Sequence, residues 1–176
     1  MVVWFSLGLL EERDAQQAIG VFLMRRKIIG VIVGLVVAFV VNVVVTVISS
    51  LVYKMPDGLS MNDMEAMKAW INTLPLGAFV FVIAGHVLSS FAGAFACAAI
   101  VRKPWIIGTL IIAGLLLSAG VVNLISIPHP MWFGFVDLIL YVPSAFAGLA
   151  LACHLFRCDC EVCVENENSD NWLAHH

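Results

Sequence analysis

Residues 28–52 read IIGVIVGLVVAFVVNVVVTVISSLV, without one charged side chain. A helix needs about 20 apolar residues to cross the hydrocarbon core of a bilayer. This run is long enough, and it decides the fold class. Backbone amides in lipid must be satisfied within the segment, so a helix is the form it takes. A membrane β-strand would alternate over about 10 residues, and this stretch does not alternate.

Three further runs have the same character: Leu74–Val101, Trp105–Ile127 and Met131–Phe156. Composition agrees. Over 176 residues, 62% are hydrophobic and 12% charged, whereas soluble domains sit near 45–50% and about 25%. A net charge of -3 without a basic patch excludes a nucleic-acid binder. The expected fold is an all-α integral membrane protein, four transmembrane helices in an antiparallel bundle.

Charged residues mark the helix ends. Arg25, Arg26, Lys27, Arg102, Lys103 and Arg157 fall on one side, against Lys54 and Lys68 on the other. Lys and Arg concentrate on the cytoplasmic side, so both termini are expected in the cytoplasm. Residues 24–157 form the membrane domain. Residues 1–23 lack a cationic start and a small-residue cleavage site, so they do not read as a secretory signal. Met24-Arg25-Arg26-Lys27 before an apolar helix reads as the natural start. A cytoplasmic amphipathic lead-in is the alternative.

Helices in lipid associate through small residues and polar contacts. Gly30, Gly34, Ala38, Asn42, Thr46 and Ser50 make a strict i, i+4 stripe on the first span. Gly85, Ser89, Gly93 and Cys97 do so on the second, Gly114 and Ser118 on the third, and Ser144, Gly148 and Ala152 on the fourth. Residues at this spacing share one helix face, so these stripes are the expected seams. Ile127-Pro128-His129-Pro130-Met131 joins spans three and four with almost no loop. Between the first two spans, Ser60-Met61-Asn62-Asp63 caps an expected short helix through Trp70, with Met61, Met64, Met67 and Ile71 along one side, over the outer surface of the bundle.

Asp137 is the one charge inside an apolar run. An intramembrane carboxylate costs roughly 2.5–3.5 kcal/mol on insertion scales and points to function. It lies six residues past the outer edge, about 9 Å deep at 1.5 Å per residue. Tyr141 is one turn on, and Asn123 and His129 have similar depth, with His86 and Asn42 deeper on the same ruler. The expected cluster is Asp137, Asn123, His129, His86 and Tyr141, opening outward. It is either a ligand or proton site, or a structural network in which Asn123 holds Asp137 and His129 caps the turn. His86, His129 and Asp137 also count three of the ligands a zinc ion needs.

The segment 158–176 is an acidic tail containing Cys158, Cys160 and Cys163, with His154 one turn upstream. Clustered thiolates bind Zn²⁺ or Cu(I), and a cytoplasmic location keeps them reduced. Incidental juxtamembrane cysteines are the alternative. No HExxH, GxSxG or P-loop pattern occurs.

The stretches GHVLSSFAGAFACA (Gly85–Ala98) and NLISIPHPMWFGFVDLILYVPSAFAG (Asn123–Gly148) resemble those of small four-helix bacterial membrane proteins. The resemblance implies the bacterial cytoplasmic membrane and carries no functional residue. Three functions fit this sequence. The first is a non-enzymatic component that packs against itself or a membrane protein partner. The second is a proton- or cation-coupled transporter or channel using Asp137. The third is a membrane metalloprotein or enzyme.

Overall fold

The computed structural model describes residues 2–60, 62–103, 105–127 and 129–156, with side chains placed from residue 20 onward. The described residues are almost all helical: α1 (Val2–Val52), α2 (Met64–Thr73), α3 (Leu76–Val101), α4 (Ile106–Ser126) and α5 (Met131–Phe156). Gly20–Val52 of α1, with α3, α4 and α5, are each long and apolar enough to cross a membrane. The chain is a multi-pass membrane protein. The first apolar segment begins earlier than charge spacing implied. Arg25, Arg26 and Lys27 sit within a helix that is continuous from Val2, because arginine and lysine favour helix as well as most apolar residues do.

Small residues set the spacing of α1 against α3. The Gly34 and Gly93 backbones touch: a Cβ on Gly34 would meet the Gly93 carbonyl oxygen at 2.6 Å, and one on Gly93 would meet that of Gly34 at 2.9 Å. Gly30 lies on Cys97 and Val101, and Gly93 also touches Ala38. At this end α4 closes the group through Ile112, with Val31, Leu35 and Leu116 around it. The first stripe is thus spent within the chain as far as Ala38. On α4 the seam differs from expectation. Gly114 and Ser118 are exposed, and Gly108, Ile112, Ala113 and Gly120 are buried. The i, i+4 rule names a face but not which face meets the neighbours.

The same end carries the basic residues. Arg26 donates to the carbonyl of Ile100 at 2.7 Å, satisfying a carbonyl that the end of α3 leaves without an intrahelical partner. The Lys27 ammonium sits 5.5 Å from the Trp105 ring centroid. Arg102 ends α3 in the left-handed region at φ 55°.

The opposite end is roofed by α2. Asp63 caps it, accepting from the Ala66 amide at 3.0 Å. Met67 and Ile71 bury against Phe79 of α3 and Phe133 of α5. Met64 is 46% exposed and takes no part in the buried face, and Met61 lies outside the described residues. The narrower face follows from length: a helix of three turns meets a flat roof site with one i, i+4 pair.

Alpha5 lies parallel to α3, since both run away from the roof. The fixed offset shows in two contacts. His86 meets Asp137, and one turn on Ser90 donates to the Tyr141 carbonyl at 2.8 Å. Gly148 continues this seam against the Phe91 and Phe95 backbone.

Candidate functional site

The site is built on that parallel seam. His86 Nδ1 lies 2.8 Å from Asp137 Oδ1 and 3.0 Å from Oδ2. With Asp137 as the carboxylate both of its oxygens accept, and Nδ1–H of His86 is the donor between them. Nε2 is then the nitrogen left for anything else. The Asp137 side chain is 1% exposed and that of His86 13%. Tyr141 stacks on the imidazole, centroids 5.4 Å apart at 28°. The His86 carbonyl also accepts from Ser89 Oγ at 2.9 Å.

The expected depth of His86 is corrected here. Counted from its own helix start it is deeper than Asp137, yet the two are level. The shared offset of 51 residues places residue 80 of α3 beside Met131, the first residue of α5. Alpha3 therefore rises four residues, about 6 Å, above the start of α5. The expected partner is corrected too. Among the described residues no hydrogen bond joins Asn123 to Asp137; the Asn123 carbonyl caps Ile127 at the end of α4. Asn123 is on the other helix of the hairpin, while Asp137 faces α3.

His129 lies in the α4–α5 turn. Its Nδ1 donates to the Ile127 carbonyl at 2.8 Å, and its ring stacks on Phe133 at 4.8 Å. Burial pushes its pKa below the ordinary 6.5; the Ile127 bond and the Asp137 charge pull upward less strongly.

Both histidines line a cavity of about 390 Å³ beneath α2. Asn42, Thr46 and Ser49, with Tyr53 just past the end of α1, form one wall, Phe79, Phe81, Val82 and Gly85 the α3 wall, and Met67, Trp70 and Ile71 the roof. Asp137 and Tyr141 stand behind His86 and do not line it. No lining residue among those described comes from α4. Past Ala38 the stripe on α1 therefore turns from a packing seam into a cavity wall: Asn42 is half-buried and Thr46 exposed. Ser50 is exposed as well and donates to its own helix at Val47.

Of the sequence-derived candidates, the structure thus joins His86, Asp137 and Tyr141, sets His129 in the same cavity wall, and leaves Asn123 apart. Ser49, Tyr53 and Trp70 are lining residues that the sequence reading passed over. Ser49 had a signal, because Asn42, Thr46 and Ser49 at i, i+4 and i+7 make a polar face in an apolar helix. Among the described residues no three His, Cys, Asp or Glu side chains gather as metal ligands. His154 is exposed in the last turn of α5, while Cys158, Cys160 and Cys163 lie outside the described residues.

No family model, curated protein or solved structure matches this chain.

Proposed function

We propose that this chain is a bacterial cytoplasmic-membrane protein, with both termini inside, that binds a small molecule in its outer half through His86. The carrying observation is the imidazole at the cavity wall with Asp137 buried behind it at 2.8 Å. A carboxylate behind a histidine orients the ring and raises the basicity of its other nitrogen. Such a pair accepts a proton or a hydrogen bond at Nε2. Arg25, Arg26, Lys27, Arg102 and Lys103 at the closed end support that orientation. Alpha1 and α3 touch backbone to backbone at that end, so coupled transport through this site requires α1 to part from α3 at Gly34 and Gly93.

A second reading is supported by the seam itself. His86–Asp137, Ser90–Tyr141 and Gly148 together pin α3 to α5, as a structural or interaction component of the membrane would need. Labelling of sealed vesicles from outside with diethyl pyrocarbonate, which acylates accessible neutral imidazole nitrogen, separates the two. His86 should be labelled, and Ser49→Leu, which fills the cavity, should suppress that labelling. A His86 that reacts only after detergent solubilisation would leave the helix-pinning reading in its place.

A further inference from the structure

We propose that the cavity takes an amphipathic phenol, a hydroxyl-bearing aromatic ring on an apolar chain. This rests on the reading of the cavity as a ligand site and specifies its ligand. The hydrogen-bond inventory gives the headgroup. His86 commits Nδ1–H to Asp137, and His129 commits Nδ1–H to the Ile127 carbonyl. Each neutral ring has only Nε2 left, a lone-pair acceptor. The two imidazoles in the wall therefore ask for a donor, and Asp137 makes His86 the better acceptor. A carbonyl or ether oxygen set against either Nε2 would face lone pair with lone pair, leaving only Asn42 and the hydroxyls of Thr46, Ser49 and Tyr53 to donate to it. A cationic or anionic headgroup would be desolvated under an apolar roof, at a cost a neutral hydroxyl avoids.

Size and lining give the rest. An apolar cavity of about 150 Å³ holds benzene. The volume here is about 390 Å³, enough for a ring and several chain carbons. Phe79, Phe81 and Trp70 supply aromatic lining, and Met67 a polarisable side chain. The cavity lies beside membrane-spanning segments of α1 and α3, so a molecule dissolved in lipid reaches it without crossing the packed inner half.

The test uses the full chain in lipid nanodiscs with four probes at equal mole fraction in the lipid: 4-hexylphenol, its methyl ether 4-hexylanisole, 1-dodecanol and unsubstituted phenol. The readout is protection of His86 from diethyl pyrocarbonate, located by peptide mass spectrometry. The phenol should half-protect at a concentration at least about tenfold lower than the ether, since one hydrogen bond to an assisted acceptor is worth roughly that factor. It should also outperform the alcohol, which lacks the ring. Unsubstituted phenol tests delivery: protection equal to that of 4-hexylphenol would show that the chain and the lipid route contribute nothing. Equal protection by phenol and ether overturns the donor requirement, and equal protection by dodecanol overturns the ring. A His86 that labels freely and is protected by none of them refutes the inference while leaving the ligand-site reading standing. A His86 that never labels in the bilayer removes both.

Discussion

Removing either half of the His86–Asp137 pair should cost different amounts, and the difference follows from burial. In His86→Leu the Asp137 carboxylate, 1% exposed, loses its partner in a membrane interior. Leaving a buried carboxylate without its hydrogen-bond donor costs more than the loss does for a neutral group, about 3 kcal/mol or more. In Asp137→Ala the group left behind is one imidazole N–H, on a side chain 13% exposed at a cavity wall. An unsatisfied buried donor costs about 1–3 kcal/mol. In the double variant neither orphan exists, and only a small void remains, worth about 1 kcal/mol. The coupling energy should then be at least about 3 kcal/mol. Interhelical hydrogen bonds in membrane proteins average about 0.6 kcal/mol by the same method, so the two cases are distinguishable. The assay is reversible unfolding in mixed micelles titrated with sodium dodecyl sulfate, on the wild type, both single variants and the double. A coupling at or below about 0.6 kcal/mol, or Asp137→Ala costing more than His86→Leu, would refute the picture of a buried carboxylate behind a cavity-facing ring.

Gly148→Ala should destabilise by about 1–3 kcal/mol or more in the same assay, because its Cβ would stand 3.0 Å from the Phe91 carbonyl carbon and 3.1 Å from the Phe95 nitrogen, with the Phe91 oxygen closer still. Gly114→Ala, with nothing within 4 Å, should be neutral or slightly stabilising through helix propensity. For His129 the folded pKa lies below 6.5, so the unfolded chain binds the proton first on acidification. Its linkage lowers stability as pH falls below about 6.5, levelling once the folded ring is protonated too; His129→Phe should remove this part of the pH dependence, seen in unfolding midpoints between pH 7.5 and pH 5. Asp63→Ala removes the cap on Ala66 and should cost α2 about 1 kcal/mol, read as faster amide exchange of the roof helix with α3 unchanged.

The class of fold was legible because lipid imposes one rule on every residue of a span. Uncharged runs of sufficient length have a single backbone solution, and charges collect where the spans end. The tight Ile127–Met131 connection fixed α4 and α5 as neighbours, and the Gly30–Gly34–Ala38 stripe named a seam that the fold uses. Asp137 stood out for the same reason, since a lone carboxylate in lipid has to be paid for by a partner.

Which partner it has was decided by tertiary structure. Asn123 is near Asp137 along the chain, but side-chain direction turns Asp137 toward α3 and away from the hairpin. His86 reaches it because α3 starts about four residues higher than α5, and no count within a single helix contains that offset. The exposed Gly114 and Ser118 teach the same lesson, as periodicity gives a face without its neighbour. The sequence by itself determined the spans and the presence of a buried charge, because both follow from transfer into lipid residue by residue. Only the assembled helices decided that this charge stands behind a histidine at the wall of a cavity, because register and rotation between helices are set by close packing among residues far apart in the chain.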